Sequence, residues 1–309
     1  MVQLDKLRLE GVSKKIGGLD TLKNVSFRLK EKEIKVILGA SGSGKTSILN
    51  CIAGIIEPDS GSIFKDEKNI THLRIEDRNI GFVFQDLGLF YSMNVAENIA
   101  YGLRIRTKDV KEINRKVVEI SKVLDIEDHL RKFPSQLSGG EKQLVSLART
   151  LVTGPDLILM DEPLSSLDSF LRNVMRWYIK DIQQKFNISI IYVTHDLADA
   201  EILGDTIAIL DEGTILDEGK KEEILNHPKT AGIARILGYN LYQKGESSYA
   251  IHPSKVLIGG STKIKIIYRE RGIKNNYLVE TEYGKINFTS DRELKENDGI
   301  SLENSVLIP

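Results

Sequence analysis

The chain has 309 residues, 41% of them hydrophobic and 28% charged, with a formal net charge of −1. That suits one large or two unequal domains, and it lacks the basic excess expected of a protein whose main partner is nucleic acid. One cysteine, Cys51, excludes an intramolecular disulfide and points to a reducing cytoplasm. The N-terminus from Met1 to Lys6 has no apolar stretch of signal-peptide length, and the longest apolar runs, such as Ile188 to Val193, are too short to span a bilayer. Any membrane role is therefore expected to be peripheral.

In chain order, Val36-Ile37-Leu38, Ile80 to Phe84, Leu157 to Met160, Ile188 to Val193 and Thr206 to Leu210 read as buried strands. They are short, rich in β-branched residues and bounded by glycine or polar residues. Helical patterns lie between most of them, which predicts an α/β fold with a parallel-rich sheet covered by helices. Residues 94 to about 153 carry no strand signal. Asn94 with Glu97 forms a capping-box pattern, and Val110, Ile113, Val117, Ile120 and Leu124 recur at helical spacing. This stretch is expected to be an inserted helical subdomain. After Gly238 the pattern changes. Tyr249 to Ile251, Lys263 to Tyr268, Tyr277 to Thr281, Lys285 to Thr289 and Ser305 to Ile308 read as short strands, with turn chemistry at Asn275-Asn276 and Asn297-Asp298-Gly299. The expected division is residues 1–238 as one domain and 239–309 as a small all-β domain of barrel or sandwich type.

Strand Val36-Ile37-Leu38 runs into Gly39-Ala40-Ser41-Gly42-Ser43-Gly44-Lys45-Thr46, followed by the helix-like Ser47-Ile48-Leu49-Asn50. This is the strand, GxxxxGK[ST] loop and helix of a P-loop. Glycines let backbone N–H groups turn inward around phosphate oxygens, and the helix N-terminus adds its positive dipole end. Lys45 would reach the β- and γ-phosphates of ATP, and the Thr46 hydroxyl would ligate Mg²⁺. Farther on, Leu157 to Met160 ends in Asp161-Glu162. Two carboxylates at the end of an apolar strand are costly without a cation or a task. Asp161 suits the Mg²⁺ shell, and Glu162 is placed to act as general base on water.

Leu137-Ser138-Gly139-Gly140-Glu141, lying between the P-loop and the acidic strand end, resembles the signature of the ABC ATPase family, and the resemblance extends over essentially all of residues 1–238. It implies a P-loop NTPase cassette in which Ser138, Gly139, Gly140 and Glu141 face the ATP of a second subunit, so that the active species is a homodimer. Gln85 matches the family's Q-loop glutamine, which senses γ-phosphate and Mg²⁺. Ser165-Ser166-Leu167-Asp168 resembles the D-loop, with Asp168 at its end. His195 matches the switch histidine, and Ile16 lies where the family usually places an aromatic that stacks on adenine. Leu144 and Glu141 also depart from the usual residues, arginine and glutamine. The stretch from Asp86 to Tyr101 and the β-rich C-terminus resemble import ATPases of the sugar, polyamine, iron and oxyanion group, whose C-terminal domains are OB-like and regulatory; Ile251-His252-Pro253-Ser254 sits where they carry an Arg-Pro-Glu turn. The resemblance thus implies an ATPase on the cytoplasmic face of the membrane, working with separate permease subunits and a solute-binding protein. A molybdate- or tungstate-type oxyanion is its leading substrate class, with sugar, iron and polyamine systems left open. An ABC exporter motor and a soluble non-transport ABC ATPase are the alternatives.

Overall fold

The computed structural model describes residues 4–270, 274–295 and 298–308. They fall into two compact units, Met1–Lys221 and Glu222–Pro309.

The first unit opens with two long strands, β1 (Asp5–Ile16) and β2 (Leu19–Lys30), followed by β3 (Ile34–Leu38), α1 (Lys45–Ala53), β4 (Ser60–Lys65), β5 (Lys68–Asn69) and β6 (Ile80–Val83). Three helices come next: α2 (Val95–Arg106), α3 (Val110–Val123) and α4 (Gly139–Leu151). Then follow β7 (Leu157–Asp161), α5 (Ser169–Phe186), β8 (Ser189–Thr194), α6 (Leu197–Leu203), β9 (Thr206–Asp211) and β10 (Thr214–Lys220). The main sheet has the order β10-β9-β3-β8-β7-β6, parallel throughout except for the antiparallel edge strand β10. The five expected strands all lie in it. β3, β7 and β8 are buried at every position, which is why they read as unbroken apolar runs.

Beside it stands an antiparallel sheet, β2-β1-β4-β5, that the search for apolar runs does not find. In β1 and β2 buried Leu7, Leu9, Val25, Phe27 and Leu29 alternate with more exposed, mostly polar neighbours. One face is buried and the other meets solvent, so the signal has period 2. These residues join Ile48, Leu49 and Ile52 of α1 and Leu157, Leu159, Ile191, Val193, Ala208 and Leu210 of the main sheet in one core. Fully burying each such side chain is worth about 1.5–3 kcal/mol, so the P-loop helix is seated firmly on the sheet.

The insertion between the adjacent strands β6 and β7 is helical, as expected. Asn94 Oδ1 accepts from Glu97 N and Glu97 Oε2 accepts from Asn94 N, both at 2.9 Å, so the capping box is formed. Of the apolar repeat on α3, Ile113, Val117 and Ile120 are buried, whereas Val110 is 66% exposed at the helix start. No helix among the described residues is long and apolar enough to cross a membrane.

The second unit begins within α7 (Lys221–Asn226), followed by α8 (Ala231–Ile236), and continues in short strands: β11 (Asn240–Lys244), β12 (Ser247–Ile251), β13 (Leu257–Lys263), β14 (Lys265–Glu270), β15 (Asn275–Thr281), β16 (Gly284–Ser290), β17 (Gly299–Ser301) and β18 (Val306–Ile308). They form three small sheets, β11-β12-β18, β13-β17 and β14-β15-β16, around a core that includes Tyr242, Ile251, Tyr277, Val279, Ile286 and Phe288. Asn275 and Asn276 open strand β15 and pair with Ser290 and Thr289 of β16, so they are strand residues and not a turn. Asn297 lies outside the described residues. Asp298 does supply turn chemistry, its carboxylate accepting from Lys295 N at 2.9 Å. Residues 222–238, which the composition change at Gly238 assigns to the first domain, cluster with the second unit; Tyr239, which donates its hydroxyl to Leu225 O at 2.7 Å, is one tie.

Candidate active site

The sheet order places the chemistry. Strands β3, β8 and β7 are neighbours, with Leu38 opposite Thr194 and Asp161 opposite Val193. The residues just beyond their C-terminal ends, Gly39, His195 and Glu162, therefore emerge side by side. This is the edge at which parallel sheets present ligands.

The P-loop is closely built. Gly39 N donates to Thr194 O at 3.3 Å, and a Cβ on Gly39 would lie 2.2 Å from Leu210 O, so no side chain fits there. Gly44, the N-cap of α1, has φ 106°, a left-handed conformation that favours glycine. The buried Lys45 donates from Nζ to Gly39 O at 3.0 Å and Ala40 O at 2.9 Å, and lies 3.3 Å from Glu162 Oε1. The buried Ser43 hydroxyl has no hydrogen-bond partner. An ammonium held only by polarised oxygens, an orphan hydroxyl and a helix N-terminus form a donor set suited to a phosphate chain.

Thr46 Oγ1 lies 3.1 Å from Asp161 Oδ1. Burial pushes the Asp161 carboxyl above its usual range; the Thr46 hydrogen bond opposes this and the neighbouring Glu162 charge adds to it. Hydroxyl and carboxylate oxygens in this arrangement fit a hard cation such as Mg²⁺. Gln85 is exposed and lines a cleft of about 710 Å³ with Phe84, Asp86, Asp161, Ser165 and Ser166. Glu162 has φ 41°, a left-handed conformation uncommon for a residue other than glycine. It places Oε2 2.9 Å from His195 Nδ1. Lys45, Thr46, Asp161, Glu162 and His195 thus share one mouth, with Gln85 at its side.

The remaining candidates stand elsewhere. Ser138 caps α4, and a capping box joins it to Glu141, whose carboxylate accepts from Ser138 N at 2.6 Å and also meets His129 Nε2 at 2.8 Å. The backbone hydrogen bond from Ser138 holds the Glu141 carboxyl below its usual range. Cβ atoms on Gly139 and Gly140 would meet Leu167 and Leu171, so the signature rests on the D-loop and the start of α5. Asp168 caps α5, accepting from Phe170 N and Leu171 N at 3.0 Å. Ile16, 42% exposed, ends β1 opposite Leu19 in a hairpin whose Thr21 carbonyl closes on Gly44. Sequence reading misses Asn98 and Arg149. Buried Asn98 bonds Phe90, Met93 and Asn94, and Arg149 reaches the Leu87 and Gly88 carbonyls, fixing the segment after Gln85 to the signature helix.

Residues 22–165 match the family described as ABC transporter. The chain is 38% identical over 231 residues to a sulfate/thiosulfate import ATP-binding protein of Mesostigma viride, covering 75% of this chain and 66% of that protein. It is 39% identical over 290 residues to the molybdate/tungstate import ATP-binding protein of Methanocaldococcus jannaschii, covering 91% of this chain and 92% of that protein. A solved ATP-binding cassette, described as a dimeric post-hydrolysis state bound to ADP and Pi, superposes with a TM-score of 0.63 at 31% identity, over 70% of this chain and 98% of its own. With the phosphate loop, the acidic strand end and the adjacent histidine at one sheet edge, the chain belongs to the ABC transporter family as an ATP-binding cassette ATPase.

Proposed function

We propose that the chain is the motor of an ABC importer, in which two copies close on ATP and drive separate permease subunits at the cytoplasmic face of a membrane. The observation that carries the hydrolytic part is the convergence of Lys45, Glu162 and His195 within 3.3 Å contacts. Lys45 and the loop N–H groups hold the phosphates. Thr46, Asp161 and Gln85 would hold Mg²⁺, which when bound supplies positive charge across the phosphate oxygens. Glu162 takes a proton from water as the water oxygen bonds to the γ-phosphorus; the bond to the β,γ-bridging oxygen breaks and ADP leaves. His195 orients the Glu162 carboxylate. Ser138, Gly139, Gly140 and Glu141 of a second copy, a capped helix N-terminus, face the γ-phosphate from the opposite side, and Asp168 fixes the D-loop that crosses between the copies.

An oxyanion of the molybdate or tungstate type is the favoured substrate. The Methanocaldococcus molybdate/tungstate relative is 39% identical over 91% of this chain and 92% of its own length, second unit included. A solute-binding protein would deliver the oxyanion. The test is ATPase activity of the chain purified with its native permease: molybdate or tungstate with the solute-binding protein is expected to stimulate it, and stimulation by spermidine or ferric ion instead would reassign the substrate.

We also propose that residues 1–238 are a self-sufficient cassette and that the C-terminal part regulates it. Every phosphate-facing residue precedes that boundary. The chain cut after Gly238 is expected to stay folded by circular dichroism and to hydrolyse ATP at the full-length rate at saturating protein concentration. A folded but inactive fragment would refute the division.

Ile16 predicts loose base selectivity. Its aliphatic side chain covers a base less well than an aromatic, and base–aromatic stacking is worth about 1–3 kcal/mol. ATP and GTP are expected to be hydrolysed with similar efficiency, and Ile16→Tyr to tighten both by up to about tenfold. Dissociation constants at fixed salt decide it; unchanged affinity would show that Ile16 does not face the base.

A further inference from the structure

His195 sits between two residues tied to α5, Asp196 directly and Thr194 through Asp199 of α6. Thr194 Oγ1 donates to Asp199 Oδ2 at 2.7 Å and accepts from Asp196 N at 2.9 Å. Asp196 caps α6 through Oδ1, accepting from Ala198 N at 2.9 Å, while its Oδ2 takes hydrogen bonds from two arginines of α5: Arg172 at 3.0 Å and Arg176 at 2.9 Å. Arg176 is buried and also donates to Asp199 Oδ1 at 2.7 Å; it is scaffold. Arg172 differs in its second bond, from Nε to the Leu167 carbonyl at 3.0 Å. That carbonyl belongs to the D-loop, on which the signature glycine Gly139 rests through Leu167. One planar guanidinium therefore ties the D-loop main chain to the residue next to His195.

We propose that Arg172 is a positioning residue for hydrolysis, holding the His195 turn, and through it the Glu162 carboxylate, in register with the D-loop. The inference rests on the assignment of Glu162 and His195 to the reaction. A guanidinium suits the task because its fork fixes two acceptors in one plane, whereas an ammonium is a compact point charge on a flexible stem and imposes no such fixed geometry on them. When a second copy seats against the D-loop, the Leu167 carbonyl and the His195 turn then move as one piece. The effect belongs in turnover and not in ATP affinity, because neither Leu167 nor Asp196 is among the groups assigned to phosphate.

The test is a double-mutant cycle in the full-length chain, with Arg172→Lys and His195→Ala alone and together, read as kcat, KM for ATP and melting temperature. Arg172→Lys is expected to lower kcat about tenfold with KM within about twofold, and to change kcat less than about twofold when His195 is already alanine, since partners acting as a unit are non-additive. Wild-type turnover in Arg172→Lys, or an equal fold loss in both backgrounds, overturns the proposal. If Arg172→Lys melts early, Asp196→Asn, which keeps the Oδ1 cap of α6 and loses the ion pair, takes its place with the same criteria. A His195→Ala variant with wild-type kcat would instead sink the assignment of His195 itself. Normal turnover of Arg172→Lys beside an impaired His195→Ala sinks only the role of Arg172.

Discussion

Glu162→Gln is expected to lower ATP turnover by about 10²–10⁴-fold, the usual contribution of a positioned general base, while leaving ATP binding intact. Glutamine has the shape of glutamate and cannot take the water proton. The phosphate-holding groups, Lys45, Thr46 and the loop N–H groups, are untouched. The carboxylate also lies 3.3 Å from Lys45 Nζ, so its neutralisation frees that ammonium for phosphate, and ATP affinity is expected to hold or rise. Single-turnover hydrolysis measures the first effect and equilibrium binding of ATP the second. With hydrolysis blocked, ATP should trap a stable dimer in size-exclusion chromatography. Hydrolysis at the wild-type rate would remove Glu162 from the base role.

Asp161→Asn is expected to act in opposite directions on activity and stability. Asp161 is 6% exposed, and its carboxyl is raised mainly by burial. For an acid raised in the folded state, the fold binds more protons than the unfolded chain. The carboxyl therefore favours folding at low pH and costs stability as pH rises through the folded value. Asparagine removes that cost at neutral pH and keeps an oxygen for the Thr46 hydroxyl. The nucleotide-free protein should melt a few degrees higher. Mg²⁺-dependent hydrolysis should fall by roughly 10²-fold or more, the scale of losing an electrostatic group at the reacting centre. Calorimetry with and without MgATP checks both signs: the gain in melting temperature belongs to the free protein, and the further gain that MgATP gives wild type should shrink. A variant less stable than wild type at neutral pH would show that Asp161 has a compensating partner in the resting fold.

How much was legible in the sequence depended on whether the signal was local. Strands β3, β7 and β8 are buried on both faces and announce themselves as apolar runs. The P-loop is contiguous, so its strand, glycines, Lys45 and Thr46 could be read together. The Asn94 cap was legible because a capping box spans four residues. The antiparallel sheet was missed because its strands have one wet face and so carry only alternation. Arg172 and Asp196 were missed for another reason. They are 24 residues apart, on α5 and after β8, and only the packing of that helix beside that strand joins them. Arg172 and Arg176, four apart on one face, were the one available hint. The fully buried Asn98 looks from sequence like any polar residue in a first helical turn.

If, as proposed, the signature and the P-loop of one chain serve different ATP molecules, the catalytic site is shared between two copies. The most direct measurement is specific ATPase activity as a function of protein concentration, with the oligomeric state followed by light scattering in the same samples. Activity per chain is expected to rise steeply with concentration and to saturate as the ATP-dependent dimer forms. A specific activity that stays constant down to concentrations at which the protein is monomeric would contradict a shared site.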